Sequence, residues 1–136
     1  MNASEIFKTF DLSITKHRKG ILDSLIKADS PLTIEDFRRN LSGTNESTIY
    51  RNLTKLTKLG IIKKLNLNSH FSHFELNTAN YIEKGHYHIV CTNCKSVRCI
   101  DLKGLDQILL RQLKRLNYSD INHQLEFSGI CSICKK

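Results

Sequence analysis

The sequence predicts an α+β protein. Three observations lead there. The first sixty residues carry helical periodicity, the pattern switches to period two after Gly60, and the second half reads strand, strand, helix, strand. The chain has 136 residues, enough for one domain or two small ones. Apolar content is 40% and charged content 25%, ordinary for a folded soluble protein. No apolar run approaches the ~20 residues that cross a bilayer. The start, MNASEIFKTF, lacks a signal peptide's apolar region, so a cytoplasmic location without membrane association is expected. The net charge of +8 favours a polyanionic partner such as nucleic acid, although a solvated lysine face would give the same number.

The elements follow in order. In ITKHRKGILDSLIKA, Ile14, Ile21, Leu22, Leu25 and Ile26 recur close to the spacing of one helical face. In SPLTIEDFRRNL, Thr33 is a good N-cap, and Asp36 three residues later completes a capping box. In NESTIYRNLTKLTKLG, Ile49, Leu53, Leu56 and Leu59 form an apolar stripe that Gly60 ends. Residues 61–77 then alternate, with Asn68, Ser69 and His70 as the turn of a β-hairpin. Helices followed directly by such a hairpin suggest a winged helix-turn-helix. TANYIEKG reads as a linker. Beyond it, HYHIVC and VRCIDL read as strands, and GLDQILLRQLKRL puts Leu105, Ile108, Leu109, Leu113 and Leu116 on one helical face. HQLEFSGI reads as the last strand.

Five cysteines in a reducing compartment argue for metal rather than disulfides. Cys91–Cys94 and Cys131–Cys134 are both Cys-x-x-Cys pairs, and two such pairs can close a tetrahedral thiolate site for a structural zinc ion. The alternative is two unrelated pairs, one of them a redox motif, but neither pair opens a helix after a strand. A second group is looser. His86 and His88 alternate on one strand, Cys99 lies on the next, and His73 and Glu75 lie on the hairpin before the linker. Together these could form a second, exchangeable site. An exposed or core-satisfied histidine pair, with Cys99 as a small buried apolar residue, is the competing reading.

At this point the chain resembles the ferric uptake regulator family of bacterial metal-dependent repressors. STIYRNLTKLTKLGII is similar to the family's recognition helix. HYHIVCTNC is similar to its histidine and cysteine signature, ITKHRKGIL to its opening motif, and CSIC to its terminal pair. The resemblance implies an N-terminal winged-helix DNA-binding domain (1–77), a hinge linker (78–85) and a small C-terminal α/β domain for homodimerisation and metal binding (86–136). It implies a structural Zn2+ held by Cys91, Cys94, Cys131 and Cys134. It also implies a regulatory divalent metal at His86 and His88, with Glu75, Cys99 and His73 as further candidates. A filled regulatory site would draw the DNA-binding domains onto a palindromic double-stranded operator.

Two departures refine the expectation. Iron and peroxide sensors of this family usually carry a histidine just before the third helix, where this chain has Pro31. A further metal site of some members would use Asp106 and His123, but Gly85 and Tyr87 replace its other two ligands. A thiolate-containing, four-coordinate regulatory site suits Zn2+ better than Fe2+ or Mn2+. DNA contact is expected from Ser47, Thr48, Tyr50, Arg51 and Lys55 on the recognition helix and from Arg18 at the start of the second helix. Lys63 and Lys64 in the wing could follow the phosphate backbone. The sequence carries no His-Glu-x-x-His motif and no nucleophile elbow, so an enzyme is not expected. The competing readings are an iron- or peroxide-responsive regulator of the same family, and a zinc-stabilised protein-interaction module that binds no operator.

Overall fold

The computed structural model describes residues 2–67, 71–77, 87–119 and 125–135. The expected linker 78–85, the hairpin turn 68–70, His86 and His123 lie outside the described residues. The chain opens with α1 (Ala3–Thr9), which sequence reasoning did not single out. Asn2 and Glu5 cap it reciprocally, and Ala3, Ile6 and Phe7 are buried. Then come α2 (Lys16–Lys27), β1 (Leu32–Thr33), α3 (Ile34–Asn40) and α4 (Glu46–Lys58). Two strands make the wing, β2 (Ile62–Leu65) and β3 (His73–Leu76). The C-terminal half holds β4 (Tyr87–Cys91), β5 (Val97–Ile100), α5 (Leu105–Lys114) and β6 (Glu126–Gly129).

The helix ends are built as the residues dictate. Thr33 Oγ1 accepts from the Asp36 N–H at 3.3 Å, and the Asp36 carboxylate accepts from the Thr33 N–H at 2.8 Å. At the end of α4, Gly60 has φ +70. The Ile61 N–H reaches the Leu56 carbonyl at 3.0 Å and the Gly60 N–H reaches Thr57 at 2.9 Å, which is a Schellman closure. Leu59 was expected in the apolar stripe. As the cap residue it is turned outward and 40% exposed, while Ile49, Leu53 and Leu56 are fully buried.

Two three-stranded sheets result, ordered β1-β3-β2 and β5-β4-β6. In the first, β3 is central and antiparallel to both neighbours, with Lys63 opposite Glu75 and Leu65 opposite His73. In the second, β4 is central, antiparallel to β5 and parallel to β6. The main core lies between the helices and one face of the wing: Ile21, Leu22, Phe37, Ile49, Leu53, Leu56, Ile62 and Phe74 are all buried in it. The Phe37 and Phe74 rings meet edge-on at 6.3 Å.

The other face of the wing is also covered. Lys63, Leu65 and Leu67 alternate onto it, as do His73 and Glu75. Leu65 and Leu67 pack with Val90 of β4 and Val97 of β5 in a small second cluster. That is why β3 is buried on both sides, including its polar residues His73 and Glu75. In contrast α5 buries no residue, and Ile108 is 58% exposed. The Tyr87 hydroxyl on β4 donates to the Asp106 carboxylate in the first turn of α5. Burial and this acceptor push the tyrosine up to about 12.

Asp36 gives a testable consequence. Burial alone would raise its carboxyl, but the bonds from Thr33 and the Arg39 guanidinium outweigh it and leave it below the ordinary value. A depressed folded-state value contributes stability above the unfolded value, and that contribution fades as pH falls through the folded one. Asp36→Asn is therefore expected to cost about 1 kcal/mol at pH 7, from loss of the charged cap, with the deficit shrinking below about pH 4. Urea titrations of both proteins at several pH values check this; an equal deficit at every pH would contradict it.

Candidate metal centres and nucleic-acid face

The first centre grows from two tight turns. After β4 the chain turns through Cys91 to Lys95, with the Lys95 N–H bonded to the Cys91 carbonyl at 3.0 Å and the Cys91 N–H to Ser96 at 2.9 Å. After β6 the Cys134 and Lys135 N–H groups bond to the Cys131 carbonyl at 3.0 and 2.8 Å. The Thr92 N–H reaches Gly129 at 2.8 Å and holds the two turns side by side. The sulfurs of Cys91, Cys94, Cys131 and Cys134 all lie within 4.8 Å of one another. Cys94 and Cys131 are 3.8 Å apart. A tetrahedron of sulfurs with ~2.3 Å bonds to a central zinc has edges of about 3.8 Å, so the donors fit such an ion.

The backbone prepares these thiols. The Cys131 N–H points at Cys91 Sγ from 3.4 Å and, with the Cys94 and Asn93 amides, lowers that thiol to about 6. Ser96, whose Oγ is 3.2 Å away, lowers Cys94. Crowding against the sulfurs of Cys131 and Cys94 pushes Cys134 up to about 12. Four thiolates at such distances repel each other unless a cation sits among them.

The second group joins the two sheets. Glu75 comes from the wing; His88 and Cys99 are cross-strand partners on β4 and β5. One ligand atom from each lies within 4.8 Å of the others. Glu75 Oε2 is 2.8 Å from His88 Nε2, and both side chains are nearly buried. Lys63 Nζ lies 2.9 Å from the other oxygen, Oε1. Burial, then the nearby Glu75 charge, pushes the Cys99 thiol up to about 11. The chemistry of this set, one carboxylate, one imidazole and one thiol, fits a divalent cation of borderline softness. His73 lies outside the three-residue group, with Nδ1 3.0 Å from the Phe71 carbonyl. Burial lowers it, against that carbonyl and Asp36, which favours the neutral imidazole. His86 lies outside the described residues. At the position of the further family site, which Gly85 and Tyr87 speak against, Asp106 accepts from Tyr87.

The third feature is the outer face of α4. Ser47, Tyr50, Arg51 and Lys55 are exposed there, opposite the buried Ile49, Leu53 and Leu56, while Thr48 is half-buried. Asn45 Oδ1 accepts the Thr48 N–H at 2.9 Å and the Ser47 hydroxyl at 2.7 Å, which holds the start of the helix. Thr54, four residues after Tyr50, is exposed on the same face, and the helical spacing could have found it. Arg18 is more engaged than expected: its Nη1 donates to the Ser13 carbonyl and hydroxyl at 2.8 and 2.7 Å. Lys63, a candidate to follow the DNA backbone, has its ammonium 2.9 Å from Glu75 Oε1. Lys64 is exposed. No helix among the described residues is long and apolar enough to cross a membrane.

Comparison with known proteins agrees with this architecture. The profile of the ferric uptake regulator family matches residues 10–128. The peroxide operon regulator of Bacillus subtilis (strain 168) is 28% identical over 138 residues, 98% of this chain and 92% of that protein. The peroxide-responsive repressor PerR of Staphylococcus epidermidis is 30% identical over 127 residues, 90% of this chain and 81% of that protein. Among solved structures, the Francisella tularensis ferric uptake regulator with iron is 26% identical at a TM-score of 0.75, covering 93% of this chain and 97% of that one. The Helicobacter pylori ferric uptake regulator, 20% identical with a TM-score of 0.77 over 98% of this chain and 89% of that one, shares the fold. The chain thus belongs to the ferric uptake regulator family, and it is a metal-responsive transcriptional regulator rather than an enzyme.

Proposed function

We propose that this regulator represses transcription as a homodimer on a palindromic operator when a divalent ion fills the group formed by Glu75, His88 and Cys99. His86 and His73 are further candidate donors, and zinc is the favoured ion. The supporting observation is that one donor comes from the wing and two from the C-terminal sheet, all within 4.8 Å. An ion held there supplies positive charge that offsets mutual repulsion between Glu75 and a deprotonated Cys99. Glu75 then fixes the wing against β4, and the wing carries α4 with it through the shared core. This is differential binding: the ion favours the arrangement in which donors from both sheets converge. The four-cysteine group is assigned a separate, permanent Zn2+ that ties the chain's end to β4 and β6.

Zinc is favoured by the donor set alone. The curated relatives named above are peroxide repressors, which supports a second reading in which the same site holds iron and responds to peroxide. Pro31, where iron and peroxide sensors of the family usually carry a histidine, speaks against it. Double-stranded DNA is assigned to the outer face of α4: Tyr50 and Ser47 toward base edges, Arg51 and Lys55 toward phosphates. The dimer is assigned to α5, whose apolar residues Leu105, Ile108, Leu109 and Leu113 are left unburied within one chain.

Two measurements test this reading. The purified protein is expected to hold one ion per chain that resists mild chelation and a second that exchanges. His88→Ala should keep the first, lose the second and lose metal-stimulated operator binding by at least about tenfold. Equal DNA affinity of wild type before and after chelation would remove the metal switch, and retention of DNA affinity only in peroxide-free iron would favour the second reading. Separately, Ile108→Glu is expected to convert a dimer into a monomer in analytical ultracentrifugation, because it puts a charge into an apolar contact. A dimer unchanged in dissociation constant would place the interface elsewhere.

A further inference from the structure

Glu75 is a carboxylate with two oxygens, and the structure treats them differently. Oε2 faces His88 Nε2 at 2.8 Å, on the side where Cys99 also converges. Oε1 faces the Lys63 ammonium at 2.9 Å. The pairing is set by strand register: Lys63 and Glu75 are directly opposed on β2 and β3, so their side chains leave the sheet on the same face. Lys63 is 41% exposed and reaches inward to a glutamate that is 9% exposed. A nearly buried carboxylate holds such a partner firmly, because releasing it would leave the charge uncompensated.

We propose that Lys63 is a specificity-determining residue for the ion at this site. By occupying Oε1, it leaves Glu75 one oxygen to give, so the carboxylate binds an ion through Oε2 alone. A chelating carboxylate spreads two oxygens over one ion and suits the six or more positions of hard cations such as Mn2+. A one-oxygen carboxylate beside an imidazole and a thiolate suits a four-coordinate ion such as Zn2+. The ammonium also withdraws electron density from Glu75, which weakens it most toward ions that depend on oxygen donors. Selection thus comes from denying the competitor its preferred geometry as much as from fitting the favoured ion. This inference rests on Glu75, His88 and Cys99 forming the exchangeable site.

The test uses the full chain with zinc left in the four-cysteine group and Co2+ added to the exchangeable site. The variants are Lys63→Met, Lys63→Arg and Cys99→Ser. Lys63 is half-buried, and methionine keeps the length of its apolar stem, so Lys63→Met removes the ammonium without opening a cavity. Wild type and Lys63→Arg are expected to give the intense visible absorption of four-coordinate cobalt. Lys63→Met should weaken that absorption and raise Mn2+ affinity relative to Zn2+ by about tenfold or more. If Cys99→Ser loses the thiolate-to-cobalt band while Lys63→Met leaves spectrum and affinity ratio unchanged, the Lys63 inference is overturned and the site stands. If Cys99→Ser also matches wild type, the site assignment falls, and the inference with it.

Discussion

The account depends on one contact: the Glu75 carboxylate of the wing meeting the His88 imidazole of the C-terminal sheet at 2.8 Å. Each partner is held by its own sheet. Lys63 opposes Glu75 on one, and Cys99 opposes His88 on the other. The site is therefore two cross-strand pairs placed face to face. Beside it, Leu65 and Leu67 meet Val90 and Val97 in an apolar contact. That apolar cluster is small. Burying its four side chains is worth a few kcal/mol at most after ordering costs, so it brings the sheets together without locking them. A weak apolar contact beside the proposed cation site suits the proposed switch, because an ion's binding energy can decide the balance.

The four-cysteine group plays the opposite part. Its sulfurs come from two hydrogen-bonded turns, and the amide aimed at Cys91 stabilises the thiolate before any ion is considered. Cys99 lies in a different environment: burial and Glu75 hold its proton in place. Cys91 and Cys99 thus differ in their surroundings: backbone donors favour the thiolate at Cys91, while burial and the Glu75 carboxylate favour the protonated thiol at Cys99.

Much of this was legible in the sequence, and the reasons differ by element. The capping box at Thr33 and Asp36 and the Gly60 stop are local, set by residues within a few positions of each other, so spacing alone found them. The Cys-x-x-Cys pairs carried their chemistry in their spacing. The proposed regulatory group was legible as a set of candidates but not as a geometry. Whether Glu75, His88 and Cys99 converge depends on the register of two sheets and on how those sheets meet, which no local pattern encodes. The same holds for Lys63. Its sequence context, a lysine pair at the start of a wing, suggests a phosphate contact, whereas its cross-strand partner is the Glu75 carboxylate. Helix α1 escaped notice because it is short and its capping residue stands at the very start of the chain. Tyr87 was legible as a departure from a metal-ligand pattern, and its hydroxyl takes the Asp106 carboxylate that such a site would have used.

If cation binding fixes the wing against the C-terminal sheet, the distance between α4 and α5 must respond to the ion. Single-molecule energy transfer between dyes at Lys58, the last residue of α4, and Lys114, the last of α5, within one labelled protomer reads it directly. The account predicts one narrow distance distribution with the exchangeable ion bound, and a broader one with a second population once that ion is chelated. Identical distributions in the two conditions, with occupancy confirmed by metal analysis, would contradict it.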